Sequence, residues 1–471
     1  MPNETQTSRL RRELMVHLAR GIQEGTLAER VDRLPLELRP RHPRPDPLRC
    51  CVHSERAILR YRIMALLGFG AEDETDELKP LAAYAREALA RRRRDDRLLT
   101  VIDEACSACE RGRHTVTDAC RGCAARPCTL ACPKHAIRLE YGRAVIDPAA
   151  CVNCGKCRDL CAFQAIHKLS APCERACPAG AIARGEDGKQ VIDRARCVAC
   201  GQCLAKCPFG AVAEVSELVD VAGALARGEA LVALLAPALA TQFDVSLPHL
   251  AGALREAGFQ GVVEVAAGAD AVARQEAAEL VERLEAGEPV LTTSCCPAFT
   301  GLVRAKFPAL APRISATPTP LAVAAGLAEA RFPGARRVFI SPCVAKRREV
   351  LEGDGAHHVL TVEELGSLFL ARGLEIAACA PVDPDLQASP AGRGFAAAGG
   401  VRAAVLAHLA GEAPASEALA GLGPDTQKAL RAYASGKGPA RFLEGMGCEG
   451  GCVSGPCTLA DPRLAKRRLG P

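Results

Sequence analysis

Four stretches between residues 120 and 207 repeat one cysteine theme, and no other feature restricts the fold so tightly. The first is Cys120-x2-Cys123-x4-Cys128-x3-Cys132-Pro133, the second Cys151-x2-Cys154-x2-Cys157-x3-Cys161. The third is shorter, Cys173-x3-Cys177-Pro178, and the fourth is Cys197-x2-Cys200-x2-Cys203-x3-Cys207-Pro208. An Ala-Ile or Ala-Val pair follows each: Ala136-Ile137, Ala165-Ile166, Ala181-Ile182 and Ala211-Val212. The chain carries 25 cysteines in 471 residues, with no Trp and 4 Tyr. Met1-Pro-Asn-Glu-Thr5 lacks an apolar signal region, so a cytoplasmic protein is expected, and its reducing surroundings favour metal binding over disulfides.

Zinc tolerates C-x2-C pairs but does not require triplets with a trailing Cys-Pro. A tight C-x2-C-x2-C loop instead wraps three corners of a 4Fe–4S cubane and points backbone N–H groups at its sulfurs. The repeating unit resembles the bacterial ferredoxin half-motif, in which the remote fourth cysteine ligates the other cluster. That resemblance implies three clusters. Cys120, Cys123 and Cys128 would take Cys161; Cys151, Cys154 and Cys157 would take Cys132; Cys197, Cys200 and Cys203 would take Cys177. Cys173 and Cys207 remain. They would share a fourth cluster if Cys106-x2-Cys109 replaces the loop that the third segment has lost; otherwise that site is empty. Residues 106–215 are thus expected to form an α+β ferredoxin-like iron–sulfur region.

Residues 1–105 read as a mostly helical segment of no evident role. Helices are expected from Ser8 onward and from Ala57 to about Gly68, separated by a proline-rich linker from Pro35 to Pro47. Adjacent Cys50 and Cys51 are poorly placed to share a metal, and the Arg/Asp run from Arg91 to Arg97 reads as a solvated helix face. The net charge of +5 points to no nucleic-acid partner. No apolar run reaches the roughly 18–20 residues of a membrane span, so no membrane association is expected.

From residue 216 the pattern changes to apolar runs alternating with helical segments. Strands are expected at Leu231–Leu235, Gly261–Glu264, Pro289–Thr292 and Arg337–Ile340, and helices at Leu247–Ala257, Ala269–Ala286 and Leu321–Phe332. Such alternation implies a parallel sheet covered on both faces, with ligands at the carboxyl ends of its strands. Ala236-Pro237, Cys295-Cys296 and Cys343 all fall at such ends. The second motif is Ser341-Pro-Cys343-Val-Ala-Lys346-Arg-Arg-Glu349, and a third, Glu444-Gly-Met446-Gly-Cys448-Glu-Gly-Gly-Cys452, adds two cysteines. Cys296, Cys343, Cys448 and Cys452 then supply four thiolates for one further cubane, with Cys295 left over beside it.

These three motifs resemble the signature motifs of the iron-only (FeFe) hydrogenases, and the likeness extends over most of residues 106–460. The resemblance implies an α/β domain at 216–471, in two lobes with parallel sheets flanked by helices. It would house an H-cluster: a cubane on Cys296, Cys343, Cys448 and Cys452, joined through Cys452 to a di-iron unit with CO, cyanide and azadithiolate ligands. It further implies Lys346 as donor to a cyanide, Ala236, Pro237 and Met446 as lining, and Glu349 nearby. Cys295 would transfer protons, fed through Glu276, Glu279, Ser315 and Arg283. The implied activity is reversible proton reduction to dihydrogen, with electrons from a ferredoxin or similar carrier and assembly by maturation enzymes. Non-catalytic assembly or electron-transfer relatives and slow hydrogen sensors share much of the pattern. Ser341, Phe299, Leu321 and the Val453-Ser-Gly-Pro-Cys457 ending depart from the commonest family sequence and suggest a divergent branch. Cys379 and Cys457, as lone cysteines, are expected to be structural.

Overall fold

The structure, a computed structural model, describes residues 4–42, 51–91, 96–107, 109, 113–353 and 355–469. Seven short strands organise the C-terminal half: β1 Leu231–Leu235, β2 Gly261–Glu264, β3 Leu291–Thr292, β4 Arg336–Ser341, β5 His358–Thr361, β6 Ser416–Ala420 and β7 Phe442–Met446. They form two parallel sheets, ordered β2-β1-β4-β5 and β3-β7-β6. The alternating pattern read as a single sheet therefore resolves into two. β1 is buried along its whole length, as a strand covered on both faces must be. Within it Leu234 pairs with Val263 on one side and Phe339 on the other.

The helices that cover the sheets follow from local chemistry. Helix Pro320–Arg331 has proline in its first turn and is capped by Thr319, whose side chain accepts from Ala322 N–H. Helix Val265–Glu285 begins four residues before the expected Ala269, directly from the end of β2. Its first turn, Val265-Ala-Ala-Gly268, carries no polar start signal. Gly268 is needed there, because a Cβ would stand 2.3 Å from Pro320 O on the adjoining helix.

The N-terminal residues join the same core. Helix Gln6–Gln23 opens with a reciprocal Thr5/Ser8 capping box and buries Leu10, Leu14, Met15, Leu18 and Ile22. These side chains belong to one apolar cluster with β1, β2, β4 and β5. The expected linker at Pro35–Pro47 starts instead inside a short helix, Leu34–Leu38, because Pro35 lies in a first turn, where its missing N–H costs nothing. Residues 43–50, with Cys50, and residues 92–95 of the Arg/Asp run lie outside the described residues. Cys51 caps helix Val52–Leu66 through Ser54 N–H. No helix among the described residues is long and apolar enough to cross a membrane.

A buried ion cluster ties these parts together. Arg347, fully buried on helix Ala345–Glu352, donates to both Glu364 oxygens at 2.8 and 2.7 Å, to Glu214 at 3.3 Å and to Val215 O at 2.9 Å. Glu217 lies 3.6 Å from its Nε. Ser216 donates to Glu364, and Arg11 of the first helix pairs with Glu363. Removing the guanidinium would leave three buried carboxylates without their countercharge, a loss worth roughly 3–5 kcal/mol. Arg347→Met is therefore expected to lower the unfolding midpoint sharply in thermal or urea melts. Arg138→Ala, which breaks an exposed pair with Glu140, should stay within about 0.5 kcal/mol of the parent.

Candidate metal centres and their surroundings

The cysteine repeats build one local structure four times over. Each trailing cysteine accepts a backbone N–H from the alanine four residues on: Ala136 to Cys132 at 3.3 Å, Ala165 to Cys161 at 3.3 Å, Ala181 to Cys177 at 3.2 Å, Ala211 to Cys207 at 3.4 Å. The Ile or Val that follows each alanine opens a strand. In the complete loops the chain turns through left-handed residues, Asn153 and Gly155 in one, Ala199 and Gly201 in the other. Those turns aim Asn153 N–H at Cys151 and Ala199 N–H at Cys197, each at 3.4 Å.

Two hollows result. One is lined by Cys132, Cys151, Cys154 and Cys157. The other is lined by Cys177, Cys197, Cys200 and Cys203. Cys120, Cys123 and Cys128 lie close enough for the first two to raise the Cys128 thiol, although burial raises it more. Cys161 packs on the same small core as Cys120 and Cys128. The leftover cysteines also converge. Burial and then Cys106 and Cys207 push Cys109 up, and burial and then Cys207 push Cys173 up to about 11.

The C-terminal motifs meet at the carboxyl ends of both sheets. Cys295 and Cys296 follow β3, Cys343 follows β4, and Cys448 and Cys452 follow β7. Burial and then the charge of Cys296 push Cys343 up to about 11. Burial, then Cys296 and Cys343, push Cys452 up to about 12, and Cys448 responds in the same way to Cys343, Cys452 and Cys296. Gly447 N–H donates to Cys296 at 3.2 Å. A metal group binding here would take these thiols as thiolates and release their protons. Among the described residues no three His, Cys, Asp or Glu side chains are arranged to hold a single metal ion. Sulfurs spaced around a hollow suit a multi-iron group.

Met446 shares an apolar cluster with Cys295, and Cys296 and Cys452 pack against it. Ala236 and Pro237 lie at the carboxyl end of β1, and the next residue, Ala238, clusters with Val453 and Cys452. Lys346 Nζ binds Glu349 at 2.6 Å, and Thr319 donates to the same carboxylate at 2.5 Å. Burial alone would lower the Lys346 ammonium, but Glu349 outweighs it and the net shift is upward. Cys379 lies in the apolar core beside the four-stranded sheet, with its thiol on Glu375 O. Cys457 faces Glu214 at 3.5 Å.

A file of polar side chains leads away from Cys295. Glu276, fully buried, accepts from Ser294 N–H at 3.2 Å and is pushed up to about 7 by burial. The Ser315 hydroxyl lies close enough to oppose that shift, and donates to Glu279 at 2.6 Å. Burial raises Glu279, but hydrogen bonds from Ala316 N–H, Ser315, Thr317 and Arg283 win and leave it lowered. Arg283 continues to Glu288 at 3.0 Å. Sequence reasoning missed Ser294 and Thr317 in this file. Their signal was slight: one polar residue directly before Cys295, the other two residues beyond Ser315.

Two parallel sheets that present cysteines at their carboxyl ends, next to a region of cysteine-lined hollows, offer the donor set of an iron–sulfur protein. Residues 229–456 match the family described as iron only hydrogenase large subunit, C-terminal domain, and residues 168–218 match an LdpA Fe–S cluster-binding domain. Iron hydrogenase 1 of Clostridium pasteurianum is 30% identical over 173 residues, 33% of this chain and 30% of that protein. The match thus spans less than a third of that relative's length. Among solved structures, an apo form of FeFe-hydrogenase HydA1 from Chlamydomonas reinhardtii is 22% identical, with 52% of this chain and 84% of that chain covered and a TM-score of 0.43. A FeFe-hydrogenase studied for stepwise H-cluster assembly gives the same coverage, identity and TM-score. Residues 229–456, a little under half of the chain, are thus similar to the C-terminal domain of the FeFe hydrogenase large subunit.

Gly201 sits where the cysteine repeats touch the second and third motifs. A Cβ there would stand 2.7 Å from Pro456 Cγ and 3.3 Å from Val344 Cγ2, whereas at the equivalent Gly155 it would meet nothing closer than 3.8 Å. Both glycines have positive φ, so alanine strains both alike, by about 1 kcal/mol. Gly201→Ala should therefore lower the unfolding midpoint clearly more than Gly155→Ala; equal shifts would show that the contact with Pro456 is slack.

Proposed function

We propose that this chain is a hydrogenase that interconverts protons and dihydrogen at a di-iron H-cluster. The observation that carries this reading is Cys295: a buried thiol outside the four-cysteine set, backed by the file of Glu276, Ser315 and Glu279. An assembly or electron-transfer relative has no use for such a file. In this reading residues 216–471 form the catalytic domain, residues 106–215 the ferredoxin-like wiring, and residues 1–105 a helical segment on the catalytic core. Cys296, Cys343, Cys448 and Cys452 would hold the cubane, and Cys452 would bridge to the di-iron unit. When bound, that unit supplies the two-electron chemistry that joins protons into dihydrogen.

The protein's share is position and proton movement. Cys295 passes a proton between the site and Glu276. Glu276, raised to about 7 by burial, both takes and releases a proton at little cost near neutral pH. Ser315 bridges to Glu279, whose ionised carboxylate is held by Arg283 at the surface end. Lys346, kept charged by Glu349, offers an ammonium to an anionic ligand of the di-iron unit, a charge-assisted bond stronger than a neutral one. Electrons would arrive from a ferredoxin or similar carrier through accessory cubanes, and maturation enzymes would install the di-iron unit. The convergence of Cys106, Cys109, Cys173 and Cys207 favours four accessory cubanes over three.

Infrared spectra of protein matured anaerobically should show CO and cyanide stretching bands. Their absence, with maturation proven on a known hydrogenase, would overturn the assignment. Cys295→Ala should keep the bands and the iron but lose most turnover. Protein carrying cubanes without the di-iron unit should hold about 20 irons per chain, four for each cubane; a value near 16 would leave the fourth accessory site empty.

A further inference from the structure

His114 is the first residue of the strand His114–Val116 and is 5% exposed. Among the described residues, neither of its ring nitrogens has a hydrogen-bond partner. Its side chain lines the hollow formed by Cys132, Cys151, Cys154 and Cys157. A Cβ built on Gly155, inside that cysteine loop, would lie 3.8 Å from His114 Nε2, so the ring stands over the loop. A buried polar group left without a partner costs about 1–3 kcal/mol. The acceptor that satisfies this imidazole belongs in the hollow it faces.

The second hollow is a close copy and serves as an internal comparison. Ile182 stands for Ile137, Ile192 for Ile146, Val198 for Val152 and Gly201 for Gly155, around Cys177, Cys197, Cys200 and Cys203. At the place of His114, the first residue of the strand Leu99–Val101, stands Leu99. One cradle therefore contains a buried hydrogen-bond donor, and its twin has a hydrocarbon side chain at the same position.

We propose that His114 donates a hydrogen bond to a sulfur of the cubane held by Cys132, Cys151, Cys154 and Cys157, and so sets that cluster to a higher reduction potential than its twin on Cys177, Cys197, Cys200 and Cys203. The inference rests on the reading that these hollows hold cubanes. Reduction adds negative charge to a cluster, an N–H donor stabilises the more negative state, and hydrogen bonds to the sulfurs are among the factors that set cluster potential. Lys134 lines the first hollow where the second has Ala179, and pushes the same way. Arg348 acts on Cys197 and pushes the other way. Residue swaps isolate the imidazole from both. His114 is a positioning residue here: it would tune a cluster that four cysteines already ligate.

The test is a redox titration followed by electron paramagnetic resonance on the full chain, isolated anaerobically with its clusters. His114→Leu should lower the midpoint of one cluster with iron content unchanged. His114→Gln, which keeps an N–H donor, should restore most of the shift. Leu99→His should raise the midpoint of a different cluster, and tests the same physics should His114→Leu fail to fold. Unchanged midpoints in His114→Leu and in Leu99→His would overturn the proposal. So would loss of about four irons in His114→Leu, which would make the imidazole a ligand. Absence of these clusters from the parent protein would refute the cubane reading itself, a separate result read from iron analysis alone.

Discussion

Thiolates repel one another, and this fold brings them together in fours. Burial and mutual charge push Cys173, Cys343 and Cys452 to about 11–12, so without a cation these groups stay protonated and gain little from being neighbours. The backbone has prepared for the charged form all the same. Alanine N–H groups reach each trailing cysteine, and left-handed turns at Asn153 and Ala199 aim further N–H groups at the first sulfur of their loops. The hydrophobic clusters, strand hairpins and helix ends of the repeat region serve to hold sulfur in those positions. Folding and metal loading are then parts of one equilibrium, because the cation that gathers the thiolates also offsets their repulsion.

How much of this was legible in the sequence depended on range. Ligand spacing is local, so the cysteine groups at 151–157 and 197–203 stand out in the sequence, whereas Cys132 and Cys177 were tied to them only through the ferredoxin resemblance; the structure has each set lining a hollow. The meeting of Cys106 and Cys109 with Cys173 and Cys207 depends on tertiary packing, and spacing alone left it open. Strands such as Leu231–Leu235 announced themselves through continuous apolar runs. β6, Ser416-Glu-Ala-Leu-Ala420, has no β-branched residue and is a strand only because β7 lies beside it. With β6 and β7 unrecognised, two sheets read as one. Arg347 was equally hidden, since in a run of Lys346, Arg347 and Arg348 nothing marks the middle cation as the one that is fully buried.

The file from Cys295 to Arg283 shows how environment separates like residues. Glu276 and Glu279 lie one helical turn apart on Val265–Glu285. The first is enclosed and accepts little; the second receives bonds from Ala316, Ser315, Thr317 and Arg283. One is therefore raised and the other lowered, with Ser315 between them. Two carboxylates of opposite tendency joined by a hydroxyl make a path along which a proton can move in either direction.

The Arg347 cluster also bears on how such a chain could have been assembled in evolution. Ferredoxin-like units look like interchangeable parts, joined to a catalytic domain end to end. Here Glu214 and Glu217 come from the segment leaving the repeats, while Glu364 and Arg347 come from the helices beside the four-stranded sheet. A recombination event that replaced one half without the other would bury charge without its counterpart. The segment Glu214–Glu217 is therefore a welded joint and not a free linker.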